Sequence, residues 1–223
     1  DVPAGDMGVG GREIGYLYGQ YRRLKGVWEN GVLTGKGFSY GGSLIRPEAT
    51  GYGAVTFMQE VLHHENDTIQ GKRIAVSGYG NAAWGVIKKT ASLGALPVTV
   101  SGRDGYVYDP EGITTQEKFD FIQSMRESGM DKVQPYAEKF GVEYFAGKRP
   151  WEVAVDVVIP CATQNELDVE DAVRIIANGV RYYVEAANMP ATAEALKLLR
   201  LSPKILTAGA KASGSGGVVP SGL

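Results

Sequence analysis

The sequence contains one cysteine, two histidines and no apolar run long enough to cross a lipid bilayer. A single cysteine excludes an internal disulfide and is typical of a reducing compartment, so we expect a cytoplasmic protein with no membrane partner. His63 and His64 are adjacent and have no nearby cluster of cysteines or carboxylates in the sequence. Because a metal site needs several such ligands, we predict no metal.

A marked excess of charge of either sign is also missing. The 23 Lys and Arg residues nearly balance the 25 Asp and Glu residues, which gives a net charge of −2 at neutral pH. A binding surface for nucleic acid or an anionic membrane requires clustered positive charge, so neither is an expected partner. The hydrophobic fraction of 43% and the length of 223 residues suffice for a substantial buried core.

Glycine is the abundant residue, with 31 copies that cluster in short loops. Residues 12–24 carry apolar side chains at helical spacing and predict an amphipathic helix. Residues 26–47 are rich in Gly, Ser and Tyr and predict an irregular connection. A second helix is predicted to begin at Arg46, because Pro47 suits a first helical turn.

Short apolar runs alternate with helical stretches in the rest of the chain. Strands are predicted over residues 73–77, 97–101, 155–159, 182–184 and 205–207. Helices are predicted between them, over residues 81–93, from a capping box at residues 114–117, and up to residues 178–179. Apolar strands that alternate with helices indicate parallel strands covered on both faces. We therefore predict an α/β fold with a doubly wound, mostly parallel Rossmann-type sheet.

The first predicted strand runs directly into a glycine turn that reads Gly-Tyr-Gly-Asn-Ala-Ala over residues 78–83. This turn fits the dinucleotide-binding fingerprint G-x-G-x-x-G/A. Gly78 and Gly80 let the backbone N–H groups approach a pyrophosphate, and the helix that begins at Asn81 directs its positive end at the anion. We therefore predict that Gly78, Gly80, Asn81 and Ala82 bind a nicotinamide dinucleotide.

The end of the second predicted strand carries information on which dinucleotide is bound. An acidic residue at this position favours the ribose 2′-OH of NAD, whereas an arginine accommodates the 2′-phosphate of NADP. Arg103 and Asp104 are adjacent there and supply both signals. We expect both residues to contact the cofactor, and the choice between NAD and NADP stays open.

Four longer strings of the sequence are chemically unusual. They are DVPAGD at residues 1–6, GSLIRPEATGYG at 42–53, PCATQN at 160–165 and EAANMP at 185–190. Together they resemble the hexameric glutamate dehydrogenases of the Glu/Leu/Phe/Val dehydrogenase family. The resemblance implies an oxidoreductase of amino-acid metabolism and nitrogen assimilation. Such an enzyme converts L-glutamate reversibly to 2-oxoglutarate and ammonia, transfers a hydride to NAD(P)+, and forms a homo-oligomer.

The resemblance also implies roles for residues around the substrate. Asp6 matches the catalytic aspartate that moves protons at the amino or imino nitrogen and at the attacking water. Ala4 and Arg46 match positions that line the substrate cleft. Val218 and Ser221 match the end of the pocket that receives the side-chain carboxylate of glutamate.

Further implied roles concern the cofactor and the domains. Thr50 matches a position near the nicotinamide carboxamide, Thr163 lies in the loop beside the cofactor, and Asn188 matches a contact to the nicotinamide ribose. Residues 1–45 correspond to the C-terminal part of the substrate (dimerisation) domain and its connection. Residues 46–223 correspond to the NAD(P)-binding domain, truncated at its C-terminal end.

The lysines that bind both substrate carboxylates in this family have no counterpart in the sequence. Because hydride transfer from glutamate needs cations that hold a dianionic substrate in line, we expect this chain, as a fragment, to be inactive in isolation and to bind nucleotide at best. Two alternatives stay open: a dehydrogenase for leucine, valine or phenylalanine, and a catalytically inactive nucleotide-binding sensor. Ser221 favours glutamate over the apolar substrates, and Asp6 favours an active enzyme.

Overall fold

The structure is a computed structural model that describes residues 2–5, 8–44 and 46–219, with only the backbone at positions 46 and 47. The helices are α1 (Gly11–Lys25), α2 (Arg46–His64), α3 (Asn81–Ser92), α4 (Gln116–Glu127), α5 (Gln134–Phe140), α6 (Val169–Ala177), α7 (Ala193–Leu201) and α8 (Ala210–Ser213). The strands are β1 (Arg73–Val76), β2 (Leu96–Pro97), β3 (Thr99–Gly102), β4 (Gly105–Tyr108), β5 (Glu143–Ala146), β6 (Val157–Ile159), β7 (Tyr182–Val184) and β8 (Leu206–Ala208). Short 3₁₀ turns lie at Phe38–Tyr40, Pro150–Glu152 and Gly214–Gly217.

Five parallel strands form the central sheet of the described chain, in the order β2-β1-β6-β7-β8. The side chains of β1 alternate between its two faces. Ile74 and Val76 pack in the apolar cluster that contains α2 and α3, whereas Ala75 packs in the cluster that contains α6 and α7. Helices therefore cover both faces of a parallel sheet. The predicted doubly wound, mostly parallel α/β fold is confirmed.

The second predicted strand, over residues 97–101, is wrong as a single element. The Thr99 hydroxyl donates to the Val76 carbonyl oxygen at 2.8 Å and accepts from the Val76 N–H at 2.8 Å. A side chain thus replaces the backbone ladder at this point, and the chain leaves the parallel sheet after β2. It continues as β3, which forms an unpredicted antiparallel sheet with β4 and β5.

Glycines allow α2 to lie very close to its neighbours. A Cβ at Gly85 would lie 2.5 Å from the Glu48 carbonyl oxygen in α2, and a Cβ at Gly53 would lie 2.5 Å from the Gly216 Cα. Helix α2 therefore packs directly on α3 and on the 3₁₀ turn Gly214–Gly217. This packing places the first turns of α2 beside the start of α3.

Helix ends follow the predicted sequence signals with one shift. The predicted capping box at residues 114–117 is wrong by one residue, because the cap is Thr115, whose hydroxyl accepts from the Lys118 N–H at 3.3 Å. Helix α6 ends at Ala177 with Asn178 as its cap, and Gly179 follows at a φ of 75°, as predicted for the pair 178–179.

The N-terminal segment, which we define as residues 2–5 and 8–44, lies outside this α/β body (residues 46–219). Its helix α1 and irregular connection agree with the prediction. Ile14, Tyr18 and Leu33 form a small apolar cluster there. In the part of the chain that the structure describes, no helix is both long and apolar enough to span a membrane.

Candidate functional site

The order of the strands creates a crevice at one edge of the central sheet. After β1 the chain moves to β2 on one side, and it returns to β6 on the other side of β1. In open α/β sheets, ligands bind beyond the carboxyl ends of the strands at such a reversal. A cleft of about 1300 Å³ opens at this place.

The cleft brings most of the predicted cofactor residues together. Of the nine, all of which the structure describes, seven line the cleft: Thr50, Gly78, Gly80, Asn81, Ala82, Arg103 and Thr163. The N-terminal segment forms the opposite wall with residues between positions 5 and 44. Residues far apart in the sequence, on α2, α3, β3 and the loop after β6, therefore share one surface.

The two glycines of the turn after β1 have different roles. Gly78 has a φ of 75°, its N–H donates to the Ser101 Oγ at 2.7 Å, and a Cβ on it would lie 3.2 Å from Ala162. The fold itself therefore requires glycine at position 78. Gly80 caps α3, and a Cβ on it would meet no protein atom within 4 Å. That open space at a helix N-terminus fits a pyrophosphate held by backbone N–H groups.

An arginine that the sequence patterns did not reveal lies beside the start of α3. The Arg126 guanidinium donates to the Asn81 side-chain oxygen, lies 5.5 Å from the centre of the Trp84 ring, and lines the cleft. Burial lowers the pKa of Arg126. Its positive charge adds to the positive end of α3 at the predicted pyrophosphate position. No local motif marks this residue, because it lies on α4, 45 positions after Asn81.

The structure separates the two adjacent residues that carried opposite cofactor signals. Arg103 lines the cleft and is exposed, and its Nε lies 2.6 Å from the Asp131 carboxylate. The Asp104 carboxylate instead accepts from the N–H groups of Val133 at 2.9 Å and Gln134 at 3.1 Å. Asp104 therefore caps the start of α5 and is not among the residues that line the cleft. Contact of either residue with a cofactor stays a prediction.

The loop after β6 is held by a buried carboxylate. Glu166 is 3% exposed, and its Oε1 accepts from the Ser77 hydroxyl at 2.8 Å, the Ala162 N–H at 3.0 Å and the Thr163 N–H at 3.4 Å. Burial raises the pKa of Glu166 against the effect of these donors. Burial also raises the pKa of the neighbouring Cys161 thiol, which keeps this residue protonated and a poor nucleophile.

Asn188 follows β7 and is exposed. The loop that carries it is joined to the loop after β6, because the Asn165 N–H donates to the Met189 carbonyl oxygen at 3.0 Å. Asn188 does not itself line the cleft. Its contact with the nicotinamide ribose stays a prediction.

Comparison with known proteins identifies the family. The sequence model of the Glutamate/Leucine/Phenylalanine/Valine dehydrogenases matches residues 41–223. The chain belongs to this family. It is 60% identical over 223 residues to the NAD-specific glutamate dehydrogenase of Clostridium symbiosum, covering 100% of this chain and 50% of that protein. It is 53% identical to the NADP-specific glutamate dehydrogenase of Haemophilus influenzae, covering 100% of this chain and 49% of that protein.

Solved structures of the family agree with the fold described above. One glutamate dehydrogenase has a TM-score of 0.96 with this chain at 59% identity, covering 100% of this chain and 49% of that one. The chain therefore spans about half the length of the family members that it matches. The relatives include both NAD-specific and NADP-specific enzymes. Both cofactors that the sequence predicts therefore occur among the relatives, and the choice between them stays open.

Five residues carry the catalytic and substrate-binding roles that the resemblance implies. Asp6 and Ser221 lie outside the described residues, and so does the side chain of Arg46. Ala4 is exposed, next to a glycine that lines the cleft. Val218 is 70% exposed. The predicted substrate roles of these five residues stay predictions.

Val218 directly follows the 3₁₀ turn Gly214–Gly217, which approaches the cleft from the C-terminal side. A Cβ on Gly217 would overlap the Thr50 hydroxyl, so this turn lies directly against a cleft residue. The start of α2 and the last described turn of the α/β body therefore lie together beside the cleft.

A buried lysine lies in the wall formed by the N-terminal segment. Lys36 is 7% exposed, and its Nζ donates to the carbonyl oxygens of Val32, at 2.7 Å, and of Leu33. Burial lowers the pKa of this amine. Two carbonyl groups therefore engage the amine and fix the bend of the connection. Among the described residues, no group of three or more His, Cys, Asp or Glu side chains could hold a metal ion.

Proposed function

We propose that the cleft binds NAD+ or NADP+, and that this chain is the coenzyme-binding part of a glutamate dehydrogenase about twice as long. One observation carries the proposal: the glycine turn, the start of α3 and the loop after β6 line a single cleft at the reversal point of the sheet. Membership of the family and the names of the relatives support glutamate as the substrate.

The proposed reaction is the reversible oxidative deamination of L-glutamate to 2-oxoglutarate and ammonia. The bound nicotinamide supplies the redox chemistry by accepting a hydride from the substrate α-carbon. The backbone N–H groups at Gly80 and Asn81 hold the pyrophosphate at the positive end of α3. Thr50, Thr163 and Asn188 orient the nicotinamide end, and the resemblance supports these three roles.

At the substrate end, the proposal assigns the proton transfers to Asp6. This carboxylate moves protons at the substrate nitrogen and at the attacking water. Ala4 and Arg46 contact the substrate beside the nicotinamide, and Val218 and Ser221 contact its far carboxylate. The family motifs around these positions support the assignment.

The proposal also covers the division of the chain. Residues 1–45 form the end of a substrate domain with its connection, and residues 46–223 form the coenzyme domain. Separate apolar clusters support this division, because Ile14, Tyr18 and Leu33 pack with each other and not in the clusters of the α/β body. We propose a cytoplasmic homo-hexamer on the basis of the resemblance.

The test uses the full-length protein that contains this sequence. Reduction of NAD+ and of NADP+ is followed side by side with glutamate, and with leucine, valine and phenylalanine as alternative substrates. The proposal predicts glutamate-dependent reduction of at least one cofactor and much slower reduction with the other amino acids. A preference for an apolar amino acid contradicts the proposed substrate. If the folded protein binds a cofactor but reduces it with none of the four amino acids, the result supports the alternative of a catalytically inactive nucleotide-binding sensor.

A further inference from the structure

Three consecutive backbone N–H groups after β6 converge on two side-chain oxygens. The Cys161 N–H donates to the Ser77 Oγ at 2.8 Å, and the Ser77 hydroxyl donates to the Glu166 Oε1 at 2.8 Å. The N–H groups of Ala162 and Thr163 donate to the same Oε1 at 3.0 Å and 3.4 Å. Successive N–H groups that point to one place form an anion-binding concavity. In this protein a carboxylate of the chain itself occupies that concavity.

The backbone around Glu166 is built to hold the carboxylate there. Asn165 has a φ of 52°, a left-handed conformation that asparagine tolerates better than most residues. This conformation reverses the chain, and Glu166 then meets N–H groups three and four residues before it. The Glu166 carbonyl oxygen accepts from the Arg149 guanidinium and, at 3.4 Å, from the buried Trp151 Nε1. Both the main chain and the side chain of Glu166 are therefore fixed.

The loop held in this way touches the glycine turn of the cleft. Ala162 lies 3.2 Å from the position of a Cβ on Gly78, so the loop packs directly against the turn. Ser77 immediately precedes that turn, and it links the carboxylate to the end of β1. Ala162, Thr163 and Glu166 all line the cleft. The position of this side of the cleft thus depends on one carboxylate and one hydroxyl.

We propose that Glu166 is a positioning residue for the nicotinamide half of the coenzyme: it fixes residues 161–163 at the place where they contact that half. The proposal rests on the proposed function, because it assumes a nicotinamide dinucleotide in the cleft. In a dinucleotide bound as the fingerprint predicts, the pyrophosphate and the adenosine half would contact the turn at residues 78–81 and the end of β3, on the side of β1 away from β6. Loss of the Glu166 carboxylate therefore affects one half of the coenzyme and not the other.

The experiment compares the complete coenzyme with a fragment that lacks nicotinamide. The full-length protein carries Glu166→Ala, Glu166→Gln or the control Glu170→Ala, which removes a glutamate whose side chain is 80% exposed. Equilibrium binding is measured for the preferred coenzyme, NAD+ or NADP+, and for ADP or 2′-phospho-ADP respectively. Thermal unfolding without ligand is recorded for each variant.

We expect Glu166→Ala to weaken binding of the complete coenzyme by about tenfold, because the buried Ser77 hydroxyl and two partly buried N–H groups lose their acceptor. Binding of the adenosine fragment stays within about twofold, since the start of α3 is unchanged. Glu166→Gln stays within about threefold for both ligands, because an amide oxygen accepts the same hydrogen bonds. Glu170→Ala matches wild type.

Equal weakening of both ligands by Glu166→Ala indicates a general structural role and overturns the proposal, as does unchanged binding of the complete coenzyme. If Glu166→Ala does not fold, Ser77→Ala provides the same test, with an expected loss of about threefold for the complete coenzyme only. The proposal is also overturned if Ser77→Ala weakens binding of the complete coenzyme and of the adenosine fragment equally, or weakens neither. If wild-type protein binds neither NAD+ nor NADP+, the proposed function fails instead.

Discussion

The N-terminal segment and the α/β body line the same cleft, but they are stabilised in different ways. The body buries apolar side chains on both faces of its sheet, in two clusters. The segment has one helix and a glycine-rich connection, and its cluster contains only Ile14, Tyr18 and Leu33 among the buried residues described. Large apolar side chains of the segment are exposed, among them Tyr16, Leu17, Leu24, Trp28 and Phe38.

This difference shows what a parallel sheet provides. A sheet offers two faces for burial, so the body supplies its own core and can hold cleft residues in fixed positions. A single helix offers one apolar stripe, and the rest of the segment depends on local hydrogen bonds such as those of Lys36. The body should therefore tolerate core substitutions poorly, and the segment should tolerate matched substitutions well.

The largest expected effect comes from a pair of tryptophans. Trp151 is 1% exposed in the body, whereas Trp28 is 51% exposed in the segment. We expect Trp151→Ala to lower the free energy of unfolding of the 223-residue chain by about 4 kcal/mol, because the cavity cannot collapse fully. Trp28→Ala should lower it by less than about 1 kcal/mol. Urea denaturation of both variants measures the difference, and equal losses would refute the comparison.

Two glycines should respond to the same substitution with opposite signs. A Cβ on Gly51 in α2 would overlap backbone atoms of α3, whereas a Cβ on Gly19 in α1 meets nothing within 4 Å. Gly51→Ala should therefore destabilise the chain by about 3 kcal/mol through overpacking. Gly19→Ala should stabilise α1 by roughly 0.5–1 kcal/mol, because alanine favours a helix. Thermal and urea unfolding of the two variants check both signs; destabilisation by Gly19→Ala would contradict the open surface of α1.

A smaller effect concerns the stability of the chain at acid pH, through Asp67, which follows α2 and accepts a hydrogen bond from β7. The Asp67 carboxylate accepts from the Tyr182 hydroxyl at 2.8 Å and pairs with Lys72 at 2.9 Å. The hydrogen bond from Lys72 is the largest contribution that lowers the pKa of Asp67, from 3.8 to about 2. A lowered carboxylate pKa contributes stability above the unfolded-state value, and this contribution is lost as the pH falls from about 4 to about 2.

Asp67→Asn should therefore lower the free energy of unfolding by about 1 kcal/mol at neutral pH, after allowance for solvent screening. The difference from wild type should shrink as the pH falls from about 4 to about 2, where about half of the wild-type carboxylates are protonated, and it should vanish below that pH. Urea denaturation at several pH values measures this convergence. A difference that stays constant with pH would show that the charge of Asp67 does not contribute.

The smallest effect is expected where the two regions are alike. Arg103 pairs with Asp131 at 2.6 Å in the body, and Arg12 pairs with Glu13 at 2.7 Å in the segment. Both arginines are largely exposed, and exposed ion pairs contribute little to stability. Arg103→Ala and Arg12→Ala should each leave the midpoint of urea unfolding unchanged within error. A clear loss in either would show that surface charge, and not burial alone, separates the two regions.

The parts of the fold that the sequence predicts are those with a local cause. β1, the turn at residues 78–83 and α3 follow from an apolar run, two glycines and helical spacing, all within 20 positions. β7 has its predicted bounds, because its apolar run is short and uninterrupted. The split of the second strand could not be predicted in this way, since it depends on the hydrogen bonds between Thr99 and a strand 23 positions earlier.

The residues of the candidate site also fall into two groups, those with a local cause in the sequence and those placed by contacts between distant parts of the chain. The glycine turn is visible in the sequence, because its backbone geometry requires particular residues at fixed spacing. Arg126 and Glu166 are not visible, since each acquires its place through contacts with Asn81 or Ser77 that the fold alone creates. A carboxylate that directly follows the loop at residues 163–165 was the one available signal for Glu166. Asp104 is the opposite case. Its place in the sequence predicts a cofactor contact, but in the fold its carboxylate caps α5.

The central claim, that the cleft at the start of α3 binds a nicotinamide dinucleotide, is tested most directly by Gly80→Val. A Cβ at position 80 would meet no protein atom within 4 Å, so we expect the fold to accept valine there, while the valine side chain fills the space for a pyrophosphate. NADH and NADPH are titrated by fluorescence into the wild-type 223-residue chain and into this variant, with urea unfolding as the control. We predict that wild type binds at least one of them and that the variant, equally stable, binds it roughly 100-fold more weakly, since about two charge-assisted hydrogen bonds are lost. Equal binding by both proteins would contradict the account.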